Sequence, residues 1–122
     1  MRLHAEFARV VQGNPDKVAL ITERNQLSYR DLADLVELFD IELAARGLRP
    51  GQCLAVETAR ADFTLPLAIL ASLRGLDVVF SPLAPVVEAG IAVDRALVLA
   101  PSPHLPADRQ IVVEPDWFAL LG

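Results

Sequence analysis

Residues 67–85 read LAILASLRGLDVVFSPLAP, and this stretch carries the strongest fold signal in the chain. An apolar helix pattern runs to about Arg74, and the β-branched and aromatic residues 78–80 follow as a buried strand that SPLAP stops. Another apolar strand, over residues 53–57, precedes the helix. A strand, a helix and a second strand in this order form a βαβ unit, so the sequence predicts a parallel sheet.

The segments on both sides of this unit continue the alternation. Upstream, the patterns predict a helix over 3–12, a strand over 18–22 and a short strand around Leu27. Downstream, they predict a short helix over 86–90, strands over 96–100 and 110–114, and a last helical turn over 116–121. We therefore predict an α/β fold with a mainly parallel sheet flanked by helices, in a single domain that spans residues 1–122.

Two helix starts can be placed from local signals. Ser28 and Asp31 have the spacing of a capping box, with aspartate in place of the preferred glutamate. An apolar face follows this cap at Leu32, Leu35, Val36, Phe39 and Leu43, and Gly47 supplies the stop. For the later helix, Asp62 or Thr64 is the expected cap, which places Pro66 near the first turn.

The composition argues against several classes of function. The chain has 122 residues, of which 53% are apolar, and its net charge is −5. Because it has no basic stripe, nucleic acid is not an expected partner, and the apolar stretch over 65–71 is too short to span a membrane. Cys53 is the only cysteine, so no intramolecular disulfide or multi-cysteine metal site can form, which fits a reducing cytoplasm.

Residues of types that often act in catalysis are present, but they are scattered. His4 and His104 have no cluster of cysteine or acidic residues at ligand spacing, so surface positions are expected. Cys53 lies early in a strand as a small buried side chain, and a helix cap explains Ser28. Most of the acidic residues of one helix are expected on its solvent-exposed face: Asp31, Asp34, Glu37, Asp40 and Glu42. We predict no catalytic, cofactor-binding or metal-binding residue.

The helix over 63–73 is apolar on almost every side, and such a helix should be buried on every side. A domain of this size standing alone would leave part of that surface exposed, and exposed apolar patches mark partner sites. The candidate interaction surface consists of Phe63, Leu67, Leu70 and Leu73. An ordinary core helix is the other interpretation.

Three segments resemble a known family in their residues and in their order. They are NPDKVALI (14–21) with LSYRDL (27–32), ARGLRPGQCLAV (45–56), and the stretch quoted above. Together they resemble the N-terminal subdomain of the adenylate-forming (AMP-binding) superfamily, which contains acyl-CoA synthetases and peptide-synthetase adenylation domains. The departures are Asp31 for glutamate, Gln52 for aspartate, and Gly75 one place early. The resemblance covers about residues 3–85, and the two later strands look like the family's next two.

The resemblance implies that these segments are scaffold. Members of the family bind ATP and Mg²⁺ through a Ser/Thr/Gly-rich loop ending in Pro-Lys-Gly, later adenine and ribose motifs, and a mobile C-terminal domain with a catalytic lysine. The sequence contains none of these motifs, and Lys17, its only lysine, falls at the first strand. The resemblance therefore implies no ATP or Mg²⁺ bound by this chain alone and no activity alone.

Three hypotheses for function remain open. The first is a truncated, non-catalytic ligase-like module that associates with itself, with a carrier protein or with a separately encoded ligase remainder. The second is an N-terminal fragment of a complete ATP-dependent carboxylate-activating ligase. The third is a small α/β enzyme, which would require a polar cluster at the carboxyl ends of the strands.

Overall fold

The structure is a computed structural model, and it describes residues 2–58, 60–113 and 117. Its helices within this part of the chain are α1 Leu3–Gly13, α2 Tyr29–Ala45, α3 Ala61–Arg74 and α4 Leu83–Glu88. Its strands are β1 Val18–Ile21, β2 Gln26–Ser28, β3 Cys53–Val56, β4 Asp77–Phe80, β5 Arg95–Val98 and β6 Gln110–Val112. A short 3₁₀ helix, Ala107–Arg109, leads into β6.

A four-stranded sheet in the order β4-β3-β5-β6 forms the centre of the fold. All of its neighbouring strands run parallel, with Leu54 opposite Val78 on one side and Arg95 on the other. Parallel strands need crossover connections, so α3 connects β3 to its neighbour β4, and α4 connects β4 to β5 on the far side of β3. The predicted α/β fold with a parallel sheet flanked by helices is confirmed.

The strands alternate their side chains between two apolar layers, as the period of a strand requires. Leu54 and Val56 point into the larger cluster, which also contains residues of α2 and α3. Ala55, between them, points into a smaller cluster beneath Leu83 and Val86 of α4. Helices therefore cover both faces of β3, which explains its continuous apolar sequence.

The start of α2 confirms the capping box. The Ser28 hydroxyl accepts a hydrogen bond from the Asp31 amide at 3.1 Å, and the Asp31 carboxylate accepts one from the Ser28 amide at 2.9 Å. An aspartate at this position is therefore long enough to reach back. Since β2 ends at Ser28 and α2 begins at Tyr29, this pair of bonds also sets the direction in which the chain leaves the β1–β2 hairpin.

The start of α3 differs from the prediction. Neither Asp62 nor Thr64 caps this helix, because it begins at Ala61 with Arg60 as its N-cap. The Asp62 carboxylate is instead bound by the Arg60 guanidinium, so it is not available to the backbone. Pro66 consequently lies inside the helix rather than in its first turn.

The other boundaries move by a few residues. The short helix predicted over 86–90 is α4, which starts earlier because Pro82 serves as its N-cap. The helical turn predicted over 116–121 lies outside the described residues except for Trp117, whose ring packs edge-on against Phe39 at 5.8 Å. Trp117 is 3% exposed, so its side chain belongs to the larger apolar cluster.

Replacing Ser28 with alanine is expected to lower the free energy of unfolding by about 1 kcal/mol, because the Asp31 amide loses its acceptor. Urea denaturation followed by circular dichroism measures the loss. The matched control is Ser81→Ala, whose hydroxyl donates to the adjacent Pro82 carbonyl. That variant should stay within about 0.5 kcal/mol of the parent. Equal losses from the two variants would contradict the cap.

Candidate functional site

The carboxyl edge of the parallel sheet is the first place to look for a site. The chain leaves β3 toward β4 on one side, while β5 leads to β6 on the other, so the strand order reverses between β3 and β5. Ligands of parallel α/β sheets bind outside the carboxyl ends of strands at such a reversal. A crevice of about 440 Å³ opens next to it, at the ends of β3 and β4. Its polar lining consists of Glu57, Thr58, Thr64 and Ser81.

Three of the four polar side chains of this crevice are hydrogen-bonded to neighbouring backbone groups. The Glu57 carboxylate accepts a hydrogen bond from the Leu83 amide at 2.8 Å and so holds the first turn of α4. The Thr58 hydroxyl accepts one from the Arg60 amide at 3.2 Å, and the Ser81 hydroxyl donates to the Pro82 carbonyl. In the described part of this edge, no hydroxyl is hydrogen-bonded to a histidine or a carboxylate that could act as its base. The geometry here is that of a connection between strands and helices.

An ion pair between a partly buried arginine and a buried aspartate fixes the link from β3 to α3. Two guanidinium nitrogens of Arg60 donate to the two carboxylate oxygens of Asp62, at 3.0 and 2.6 Å. Asp62 is only 2% exposed, and the Arg60 guanidinium also lies 5.1 Å from the centre of the Phe63 ring. A bidentate pair of this kind is strong and directional, so it orients the first turn of α3. This pair was not predicted from the sequence, where Asp62 was expected to be a helix cap.

The two histidines are in different environments. The His4 ring nitrogen Nδ1 lies 2.9 Å from the Ser72 hydroxyl, which also accepts a bond from the His4 amide. This contact ties the first turn of α1 to α3, and no carboxylate within the described residues contacts the ring to orient it as a base. His104 lies in the exposed loop before β6, where its amide donates to Ser102. The described part of the chain contains no group of three or more metal-ligating side chains.

Cys53 begins β3 and is half-buried against the smaller apolar cluster. Burial raises the pKa of its thiol, and the charges of Asp77 and Asp94 raise it further. A nucleophilic cysteine requires the opposite environment, in which positive charge stabilises the thiolate. The position therefore fits a packing role, and Asp94 serves the backbone by accepting a bond from the Cys53 amide at 2.8 Å.

The acidic residues of α2 do not form a paired-carboxylate site. Asp31 is occupied in the helix cap, and Asp34 and Glu37 are exposed, as predicted for a wet face. Asp40 accepts two hydrogen bonds from Arg74, at 3.0 and 2.6 Å. Glu42 is paired with Arg46 one turn further along the helix.

The predicted interaction surface requires a correction. Phe63, Leu67 and Leu70 are each 1% exposed and belong to the core, because α3 lies between the sheet on one side and α1 and α2 on the other. The exposure predicted for these three side chains was wrong, and the alternative of a core helix holds for them. Only Leu73, which is 43% exposed, is accessible, and its contact with a partner stays a prediction.

This α/β fold is similar to that of solved N-terminal subdomains of adenylation proteins. Among solved structures, the chain is similar to the NpsA N-terminal subdomain of Klebsiella oxytoca in complex with 3-hydroxybenzoyl-AMSN. The TM-score is 0.75 at 20% identity, over 97% of this chain and 30% of that one. The resemblance read from the sequence is confirmed at the level of the fold.

Two multidomain proteins have the same fold in part. The fused NpsA-ThdA adenylation-PCP di-domain from Klebsiella oxytoca matches with a TM-score of 0.75 at 17% identity, over 98% of this chain and 23% of that one. PA1221, an NRPS protein with adenylation and PCP domains, matches with a TM-score of 0.69 at 19% identity. The match covers 87% of this chain and 21% of PA1221. The chain thus spans less than a quarter of these two proteins, and identities this low establish the fold alone.

Comparisons at the level of sequence find no counterpart. No family model and no curated protein matches the chain. Within the described residues, no helix is both long and apolar enough to cross a membrane.

The corrected position of α3 predicts different effects for two leucines of one helix. Leu67→Ala should lower the free energy of unfolding by about 3 kcal/mol, because a fully buried side chain is lost from the core. Leu73→Ala should lower it by less than about 1 kcal/mol, since that side chain is partly in water. Urea denaturation of the two variants gives both values, and a loss at Leu73 as large as that at Leu67 would contradict its exposure.

The environment of Cys53 predicts its reactivity. Asp77→Asn removes a negative charge that raises the pKa of the thiol, so the thiolate fraction at pH 8 should increase and alkylation by iodoacetamide should become faster. The control is Asp34→Asn, which changes the net charge equally at an exposed position on α2. Equal alkylation rates for the two variants would show that Asp77 does not act on the thiol.

Proposed function

We propose that this chain is a scaffold module of an ATP-dependent, carboxylate-activating assembly. It is inactive alone and acts by associating with a ligase part that supplies the ATP site. The observation that carries the proposal is the fold. It matches the NpsA-ThdA adenylation-PCP di-domain over 98% of this chain with a TM-score of 0.75. The share of those proteins that the chain spans, 23% in the same comparison, supports the need for a complementary part.

The chemistry of adenylation supports inactivity of the chain alone. Attack of a carboxylate on the α-phosphate of ATP develops negative charge that amides, hydroxyls and cations must meet. At the carboxyl edge of this sheet, Glu57 and the Arg60–Asp62 pair are instead committed to the starts of α4 and α3. Lys17 lies exposed in the turn before β1.

Two exposed apolar side chains support association at the same edge. Phe80 ends β4 and is 44% exposed, while Leu99 follows β5 and is 49% exposed. Large apolar side chains that are left in water at one edge of a sheet favour coverage by another polypeptide. In this proposal the ligase part packs against Phe80 and Leu99.

The complementary part can be encoded in the same reading frame or in a neighbouring one. The chain spans 32% of a solved NpsA N-terminal subdomain, and this observation favours a second candidate, a fragment of one complete ligase. The sequence that follows codon 122 in the gene distinguishes the two cases. An in-frame Ser/Thr/Gly-rich loop ending in Pro-Lys-Gly supports the fragment, whereas a stop codon with such a loop in a neighbouring frame supports the separate module.

The proposed function is tested by ATP–pyrophosphate exchange with a panel of carboxylic acids. The purified chain alone should give background exchange, while its mixture with the loop-bearing polypeptide should exceed background by at least about 100-fold, because the reactants are then correctly positioned. Light scattering after size exclusion should show one copy of each polypeptide in the complex.

The contact surface is tested in the same assay. Phe80→Asp should weaken the complex, whereas Ile41→Asp, which changes a 60% exposed residue on α2, should not.

Exchange by the chain alone would contradict the proposal, and so would full exchange by the second polypeptide without the chain. A homodimer indifferent to ATP and Mg²⁺, or binding to a carrier protein in place of a ligase part, would redirect the proposal to that partner.

A further inference from the structure

A groove of about 530 Å³ lies among α1, α2 and α3, on the helical side of the molecule and away from the carboxyl-edge crevice. Its lining is mostly apolar and includes Phe7, Val36 and Ile69, with the exposed side chain of Leu73 from α3. Alanines occupy several of the remaining positions, and their short side chains leave the space between α1 and α2 unfilled. The alanines are Ala5, Ala8 and Ala33.

The apolar lining of the groove suits an amphipathic helix. Amphipathic helices bind by laying aliphatic side chains at positions i, i+3, i+4 and i+7 into an apolar groove between elements of the receptor. Leu73 and the half-buried Phe7 present apolar surface to such a partner without rearrangement of the core. The hydrogen-bonded contact between His4 and Ser72 holds α1 against α3 at this site.

The charges around the groove define what kind of helix fits. Its charged lining residues are Glu37 and Asp40, both from α2, while the α1 side contributes His4 and Gln12 but no arginine or lysine. Asp40 is already bound by Arg74. Glu37 is exposed and has no ion pair among the described residues. Asp34, one turn earlier on α2, is also exposed but does not line the groove.

We propose that this groove is a docking site for an amphipathic helix of a partner protein, with aliphatic residues on one face and lysine or arginine along the edge that lies over α2. The negative side of the groove would repel an acidic helix, and it would repel the same face of a second copy of this chain, whose net charge is −5. The proposal goes beyond the scaffold function and does not depend on it, because the groove is separate from Phe80 and Leu99.

The probe is a fluorescein-labelled peptide of about 15 residues, a length at which an isolated helix begins to be stable, with leucine on one face and lysine on the other. A second peptide has glutamate in place of each lysine. Fluorescence anisotropy against the full chain should show binding of the lysine peptide and at least about tenfold weaker binding of the glutamate peptide, since attraction is replaced by repulsion. Absence of binding by the lysine peptide at about 100 µM would overturn the proposal.

Two variants locate the binding on the groove. Glu37→Lys changes only an exposed residue and should weaken the lysine peptide about fivefold, the size expected for one exposed ion pair. Leu73→Asp should weaken it at least about tenfold. The control is Val87→Asp on α4, because Val87 is 42% exposed and Leu73 is 43% exposed, and it should leave binding unchanged.

Two outcomes would overturn the assignment even if the peptide binds. One is equal weakening by Leu73→Asp and Val87→Asp, which would place the peptide elsewhere on the surface. The other is a homodimer, seen by light scattering, that Leu73→Asp dissociates and Val87→Asp does not, because the groove would then belong to a second copy. Failure of this experiment leaves the pyrophosphate-exchange test of the scaffold function unaffected.

Discussion

Leu54, Ala55 and Val56 of β3 have no solvent exposure, because α2 and α3 cover one face of the sheet and α4 covers the other. A parallel strand can be buried on both faces only if crossover helices lie on both sides, so the positions of α3 and α4 follow from the burial of β3. The ion pair at the start of α3 and the Glu57 bond to the start of α4 serve this arrangement. Each holds a helix at the point where it leaves the sheet.

Polar side chains at the carboxyl edge of the sheet, which could suggest a catalytic site, therefore hold the connections between strands and helices. Among the described residues of this edge, the Glu57 carboxylate, the Arg60 guanidinium and the Thr58 hydroxyl are each hydrogen-bonded to a backbone amide or to a neighbouring side chain. The third hypothesis, a small enzyme with its own site, required a polar cluster at this edge. Polar side chains are present there, and the hydrogen bonds of Glu57, Thr58 and the Arg60–Asp62 pair connect strand ends to helix starts.

Much of the fold could be predicted from the sequence, because the signals for it are local. The capping box at Ser28, the apolar face of α2 and the strand of residues 78–80 each depend on neighbours within a turn or two. The start of α3 could not be predicted in the same way, since Asp62 can either cap a helix or pair with Arg60, and burial decides between the two. The exposure of individual α3 side chains could not be predicted either. A helix that is apolar on all sides does not indicate which of its sides the rest of the chain covers. Only the structure shows that Leu73, of the four candidate residues, remains in water.

The position of β3 between β4 and β5 has a consequence for how the chain folds. Its two hydrogen-bonding partners are separated from it by one helix and by two helices, so no tight turn can bring either of them to it. Loops must close over these separations before the pairing gains any free energy, which makes assembly of a parallel sheet slow compared with a hairpin or a helical bundle. During synthesis β3 emerges before both neighbours, so its backbone N–H and C=O groups stay unpaired and its apolar side chains uncovered for that interval. In a stalled or crowded nascent chain, the Cys53–Val56 segment is therefore open to wrong strand pairing and to chaperones.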